Sequence, residues 1–220
     1  MGKRSRRPFQ RRREAPDLSK WVPRTQLGKL VMSGDVKSLD EILSKGQKIL
    51  EPEIVDFLLP DLDEEVIEIK NTQRMTTCGR KMTMRAVLLI GDKKGHVAMG
   101  VGKAPETRDA IQEALKDAKK NMMCVPLGCG SWECGCGTAH SVPMQVKGKS
   151  ANTEITIRPA PRGVGLVAGG TSRKVLAISG VRDVWCTAHG RTRNALNVVT
   201  ATLDALNALN KQKKGKVDLK

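Results

Sequence analysis

"RKMTMRAVLLIGDKKGHVAMGVGK", Arg80 to Lys103, decides the fold. Arg80 to Asp92 reads as a long strand with a basic end at Arg80, Lys81 and Arg85 and an apolar run, "AVLLI", further on. "KKG" is a hairpin turn and "HVAMGVGK" is the returning strand. Upstream, "VIEIK" (Val66 to Lys70) alternates with period two and supplies a third antiparallel strand. Downstream, Pro105 opens a helix to about Met122, with Ala110, Ile111, Ala114, Leu115 and Ala118 on its buried face. Lys116, Lys119 and Lys120 stand near its C-terminal end, where cations suit the helix dipole. A β-β-β-α domain over 66–127 follows.

Further out, a second unit is expected over 141–210. "SVPMQVKG" (Ser141 to Gly148) and "TEITIRPAP" (Thr153 to Pro161) read as strands, and "TSRKVLAISG" as a helix with Thr171 as N-cap and Gly180 at its end. "DVWCTAHG" is a strand, and Asn194 to Leu209 a helix with Leu196, Val199, Leu203, Leu206 and Leu209 on its apolar side. The fold class is α+β, two small domains, the second β-β-α-β-α, preceded by an extension over 21–65. In that extension "SLDE" (Ser38 to Glu41) is a capping box opening a helix that ends at Gly46, with the Ser hydroxyl bonding the amide three residues on. A second short helix begins near Pro52, with Ile54, Val55, Leu58 and Leu59 on one face, and stops at Pro60. "DLDEE" (Asp61 to Glu65) reads as an exposed acidic connector. The extension packs on the body or on a neighbouring protein.

The chain has 220 residues and a formal net charge of +16, so nucleic acid is the default partner. Charge is unevenly placed: nine Lys and Arg against two acids in 1–24, four against eleven in 25–69, and 26 against ten in 70–220. Residues 1–20 read as a disordered basic arm and 211–220 as a loose basic tail. With aromatics at 2% and no Tyr, phosphate and shape contacts must outweigh base stacking. The expected contacts are Arg74, Arg80, Lys81, Arg85, Lys93, Lys94, Lys103, Lys119 and Lys120. No run approaches a membrane span, no signal sequence precedes the arm, and six Cys fit reduced thiols or metal ligands.

"GCGSWECGCGTAH" (Gly128 to His140) joins the two domains and places Cys129, Cys134, Cys136 and His140 at C-x-x-x-x-C-x-C-x-x-x-H spacing, a ligand set that tetrahedral zinc accepts. Gly128, Gly130, Gly135 and Gly137 permit positive φ in so short a loop. Two readings stay open: a structural zinc staple over 128–140, or a glycine hairpin with reduced thiols and a solvent-facing His140, held by backbone and Trp132. "GVGLVA" (Gly163 to Ala168) fits G-x-G-x-x-A, with Asp183 twenty residues on. Two prolines precede it and no second βαβ unit follows, so a loop lying against RNA phosphate, flanked by Arg158 and Arg162, accounts for it better than a dinucleotide site. His96 and His189 read as surface or RNA-facing rather than catalytic.

"GDKKGHVAMGVGKAPETRDAIQEALKDAKKNM", "RPAPRGVGLVAGG", "VLAISGVRDV" and "NVVTATLDAL" together resemble the small-subunit ribosomal protein S-five family, in its archaeal and eukaryotic branch. The resemblance spans roughly Trp21 to Leu209. It implies an N-terminal domain related to double-stranded-RNA-binding domains and a C-terminal domain of the family's own type. It also implies rRNA binding near the decoding region and the path by which mRNA enters, support of subunit assembly and translational accuracy, neighbours S-four and S-eight, and a cytoplasmic place in the small subunit. The family's rRNA-reaching loop between the first two strands falls on Thr76, Thr77, Cys78, Gly79 and Arg80. The extension and the cysteines depart from the bacterial pattern, and the cysteines resemble archaeal members, so any metal is a local staple. No enzymatic activity, organic cofactor, membrane partner or homo-oligomer is expected. The alternatives are a free-standing RNA-binding regulator or a nucleotide-cofactor enzyme using the Gly163 loop.

Overall fold

The apolar run of the middle strand has a structural cause: both faces of its sheet are covered. In the computed structural model, which describes residues 21–211, β1 (Asp63–Thr76), β2 (Gly79–Gly91), β3 (His96–Ala104) and the two-residue β4 (Met123–Cys124) form one antiparallel sheet in that order. Ala86, Leu88 and Ile90 of β2 turn toward α4 (Thr107–Lys120) and meet Ala110, Ala114 and Ala118. Leu89, of opposite parity, joins Ile155, Val175, Leu176 and Val198 of the C-terminal half. A strand buried on both sides reads as a continuous apolar run.

The second sheet holds β5 (Val146–Ser150), β6 (Thr153–Pro159), β7 (Leu166–Val167) and β8 (Val184–Gly190) in the order β5-β6-β8-β7. Its pairs are antiparallel except β7 with β8. Helices α5 (Gly170–Ser179) and α6 (Ala195–Asn210) complete it. Both halves bring a helix onto a strand by the same device. A Cβ at Gly100 or Gly102 would drive into the Ala114 or Ala110 carbonyl, and one at Gly148 into that of Ala201. Only glycine permits the close approach.

The extension packs on the body. Helices α1 (Gln26–Ser33), α2 (Leu39–Ser44) and α3 (Glu53–Leu58) place Val31, Leu39, Ile42, Ile54 and Val55 in the α4-side core. Helix α1 was not expected; Thr25 accepts the Gly28 amide at 3.1 Å, and Gly34 ends the helix at φ 83°. Ser38 precedes α2, but its hydroxyl bonds the Glu41 carboxylate at 2.9 Å rather than an amide. "DLDEE" leaves Asp61 and Glu64 exposed but is not a connector: Asp63 begins β1 and pairs with Lys93 at 2.5 Å, and Glu65 pairs with Lys174 at 2.7 Å.

Other boundaries shift. The strand expected over 141–148 begins only at Val146, while Ser141 instead bridges Gly128. Gly169, not Thr171, is the N-cap of α5. Within the fingerprint-like "GVGLVA", Leu166 and Val167 form the short β7. The two halves are riveted at the β2–β3 turn, where Lys93 (φ 59°) donates its amide to the Ile178 carbonyl at 3.0 Å and Gly180 (φ 89°) lies against the Lys93 carbonyl. Expectations for the arm 1–20, and for the tail beyond Lys211, lie outside the described residues.

Candidate nucleic-acid surface and metal centre

β3 pairs with β2 only as far as Met84↔Ala104, so beyond that point β1 and β2 continue alone, from Thr72↔Thr83 to Thr76↔Gly79. At about 3.4 Å per residue the free part projects about 15–20 Å. The Thr72 hydroxyl stands 2.9 Å from that of Thr83, Thr76 donates to the Gly79 carbonyl at 2.8 Å, and Gly79 turns the tip at φ 116°. Residues two apart on a strand share a face. One face of the ribbon therefore carries Lys70↔Arg85, Thr72↔Thr83 and Arg74↔Lys81 as successive rungs. Two rungs set like charges directly opposite, which costs stability. Arg74, Arg80 and Lys81 are exposed and meet no carboxylate among the described residues. Thr77, at the tip, is exposed too.

The other expected contacts divide by surroundings. Lys94, Lys103, Lys120, Arg158 and Arg162 are exposed. Lys93 is paired with Asp63, and Arg85 is half-buried with its guanidinium 3.6 Å from Glu68. Lys119 is a correction: it is 8% exposed, and its ammonium reaches Asp56 of α3 at 2.6 and 2.8 Å. It fastens the extension to α4 and is not a free cation. His96 is also not a surface residue: Nδ1 lies 2.6 Å from Asp92, and Nε2 3.1 Å from Asp40. His189 is exposed.

The cysteine stretch closes on itself. The ligand atoms of Cys129, Cys134, Cys136 and His140 all lie within 4.8 Å of one another. Cys136 Sγ is 3.6 Å from Cys129 Sγ, and Cys134 Sγ is 3.6 Å from His140 Nε2. Thiolates placed tetrahedrally at about 2.3 Å from zinc stand about 3.8 Å apart, so the spacing fits that ion. His140 is 5% exposed, against the solvent-facing alternative. Trp132, 92% exposed, holds nothing. Of the four glycines only Gly137 has positive φ, at 63°. Gly130 instead lies flat against the Pro143 carbonyl.

What fixes His140 is Asp183, which sequence reasoning noticed only as part of a nucleotide fingerprint. Its Oδ2 lies 2.8 Å from His140 Nδ1, and its Oδ1 accepts the amides of Gly163 and Gly165 at 3.1 and 2.8 Å. Burial pushes the Asp183 carboxyl up, but the Gly165, His140 and Gly163 donors outweigh it and hold it below the usual range. Burial pushes His140 down; Cys134 and Asp183 outweigh that and raise it. A carboxylate behind a histidine, with Nε2 turned to thiols, is the arrangement that orients a metal-bound imidazole. The three thiols differ in acidity. Hydrogen bonds from Thr138 bring Cys136 down to about 6, while burial and the neighbouring thiols push Cys129 up to about 11. The Cys136 thiol pushes Cys134 up, and the amides of Arg162 and Cys136 outweigh it. All six cysteines are free.

Two α+β units riveted at the β2–β3 turn, a projecting cationic ribbon and a junction with a four-ligand set define a two-domain α+β class. Comparison with known proteins says which. The chain belongs to the ribosomal protein S5 family: the family model "Ribosomal protein S5, N-terminal domain" matches residues 62–126, and "Ribosomal protein S5, C-terminal domain" matches residues 148–217. It is 50% identical over 194 residues to the small ribosomal subunit protein uS5 of Methanospirillum hungatei, covering 88% of this chain and 95% of that one. It is 50% identical over 190 residues to the protein of the same name from Aeropyrum pernix, covering 86% and 87%. With that of Methanocaldococcus jannaschii it shares 48% over 194 residues, covering 88% and 89%. Among the described residues no helix is long and apolar enough to cross a membrane.

Proposed function

We propose that this chain is a structural constituent of the small ribosomal subunit that binds rRNA near the decoding region and the path of incoming mRNA, beside S-four and S-eight, in the cytoplasm. The observation that supports the reading is the outer like-charged rung of the β1–β2 ribbon. A fold that sets Arg74 opposite Lys81 keeps a cost that phosphate removes, whereas Glu68 already offsets the Lys70↔Arg85 rung. Thr76, Thr77, Gly79 and Arg80 at the tip, with Lys94, Lys103, Lys120, Arg158 and Arg162 elsewhere, extend the contact. The modules 66–127 and 141–210 work as one body, and the junction 128–140 sets their orientation.

Cys129, Cys134, Cys136 and His140 are the residues that hold a structural zinc ion in this reading. The ion supplies a cross-link within the junction, and Asp183 orients the His140 ring toward it. The test of the whole reading is salt. With about six to ten phosphates contacted, affinity for a small-subunit rRNA fragment should fall about 10³–10⁵-fold between 50 and 200 mM salt. The chain should also sediment with small subunits rather than free. Salt-insensitive binding, or a free pool larger than the bound one, overturns it.

A further inference from the structure

Between the cationic face of the ribbon and the far end of β8 lies a cavity of about 660 Å³. Lys70 and Arg85 of the ribbon and Arg191 and Arg193 beyond β8 all line it. Neither Arg191 nor Arg193 belongs to the contacts that the sequence suggested. The carboxylate in contact with these cations is Glu68, 2.6 Å from Lys70 and 3.6 Å from Arg85, so the lining stays strongly positive. The Arg85 Nε–H is buried and meets no acceptor among the described residues, while Glu68 Oε2 is buried and meets no hydrogen-bond donor. Glu68 Oε2 faces the Arg85 guanidinium as an ion pair, so the group left over is the Arg85 Nε–H donor, which an anionic oxygen would satisfy.

The rest of the lining supplies amides. Asn152, Asn194 and Asn197 line the cavity. Asn194 is the N-cap of α6, yet its side chain makes no bond to the first turn, which leaves the positive end of a 16-residue helix open toward the same space. The lining is held in place: Arg191 donates its amide to the Asn152 carbonyl at 3.1 Å, and Thr153 donates its hydroxyl to the Arg191 carbonyl at 3.0 Å. Gly190 (φ 86°) has the Asn152 carbonyl where any side chain would go.

We infer that this cavity takes one unpaired nucleotide from an RNA strand that runs down the ribbon face from Arg74 and Lys81 past Thr72 and Thr83. Its phosphate sits among Lys70, Arg85, Arg191 and Arg193, and its base edge meets the three asparagine amides, which offer both donors and acceptors. The volume exceeds that of a phosphate and admits a nucleoside with it. The inference rests on the RNA-binding reading above and adds to it a specific element of RNA, an extruded nucleotide rather than a continuous helix.

The test compares the full chain on two RNA hairpins of identical stem, one carrying a single unpaired adenosine, by fluorescence anisotropy at moderate salt. The expected result is about tenfold tighter binding of the bulged hairpin. Arg191→Ala with Arg193→Ala should abolish that preference, whereas Lys147→Ala with Lys149→Ala, which removes the same charge from β5, should weaken both hairpins alike and keep it. Thermal melts of both variants confirm that they fold. Asn197→Ala should shrink the preference without touching the affinity for the paired hairpin. Equal binding of the two hairpins by the native chain, or equal loss of preference in both double variants, overturns the cavity assignment and leaves the RNA-binding reading intact. Salt-independent or absent binding of both hairpins overturns the two together. Adenosine monophosphate competing better than the bulged hairpin would assign the cavity to a free nucleotide and overturn its assignment to a strand.

Discussion

The β1–β2 ribbon and the cysteine junction are both short excursions turned by a glycine, and they are held in opposite ways. The ribbon is tied only by its own ladder and the Thr72–Thr83 hydroxyls, and it displays Arg74, Arg80 and Lys81 without a carboxylate partner among the described residues. The junction is tied from 43 residues away, through a buried carboxylate that serves His140 and two loop amides at once. One region leaves its charge to be neutralised by something outside the protein; the other neutralises its charge internally. A substitution should therefore tell in binding at the first and in stability at the second.

Removing the tie breaks the contrast most directly. Asp183→Ala leaves His140 and the amides of Gly163 and Gly165 buried without their acceptor, and should cost about 3–5 kcal/mol in urea denaturation. Arg80→Ala on the ribbon should stay within about 0.5 kcal/mol. If the two cost the same, the contrast is gone. Chelation comes next. A bound metal at a hundred times its dissociation constant stabilises by about 2.7 kcal/mol, so EDTA should lower the melting temperature of the native chain and leave Cys134→Ser with Cys136→Ser unmoved. Equal zinc in the two proteins by elemental measurement rules out the staple. On the ribbon, Arg74→Ala with Lys81→Ala should lower the slope of log affinity against log salt by about 2 while stability holds or rises, since a like-charged rung disappears.

His96 is the intermediate case and the smallest effect. Its hydrogen bond to Asp92 raises the imidazole above its ordinary 6.5, against burial. Burial pushes Asp92 up from 3.8, but hydrogen bonds from His96 and from the Lys94 and His96 amides bring it below that value. The raised histidine stabilises fully below pH 6.5 and loses that contribution as pH climbs through its folded value. The lowered aspartate stabilises above pH 3.8 and loses that as pH falls through its own. The clasp is therefore strongest between the two, and His96→Ala should flatten stability against pH above 6.5 by about 0.5–1 kcal/mol.

Much of this architecture is legible in the residues, for physical reasons. Period-two alternation, "KKG" and the alanine stripe of α4 are local signals, and local signals mark β2, β3 and α4 within a residue or two. The ligand set at the junction is likewise local. What the sequence hides is whatever depends on a partner distant along the chain. Lys119 resembles its neighbour Lys120 until Asp56 of α3 is found beside it. Asp183 resembles a fingerprint acid until its carboxylate is seen on His140. The ends of β1 and β5 depend on strands not adjacent to the strong patterns, and α1 lacks the capping box and the proline punctuation that mark the shorter α2 and α3, though Thr25 and Gly34 do bound it.

The rivet at Lys93 bears on how the chain is made. Its amide bond to Ile178 can form only when α5 exists, some eighty-five residues further along the chain than the hairpin that carries it. The N-terminal sheet, with one apolar face waiting, cannot latch until then. Synthesis of the second half is thus the event that closes the first, and a nascent chain arrested before residue 180 should present Leu89 and Val97 to whatever holds unfinished proteins.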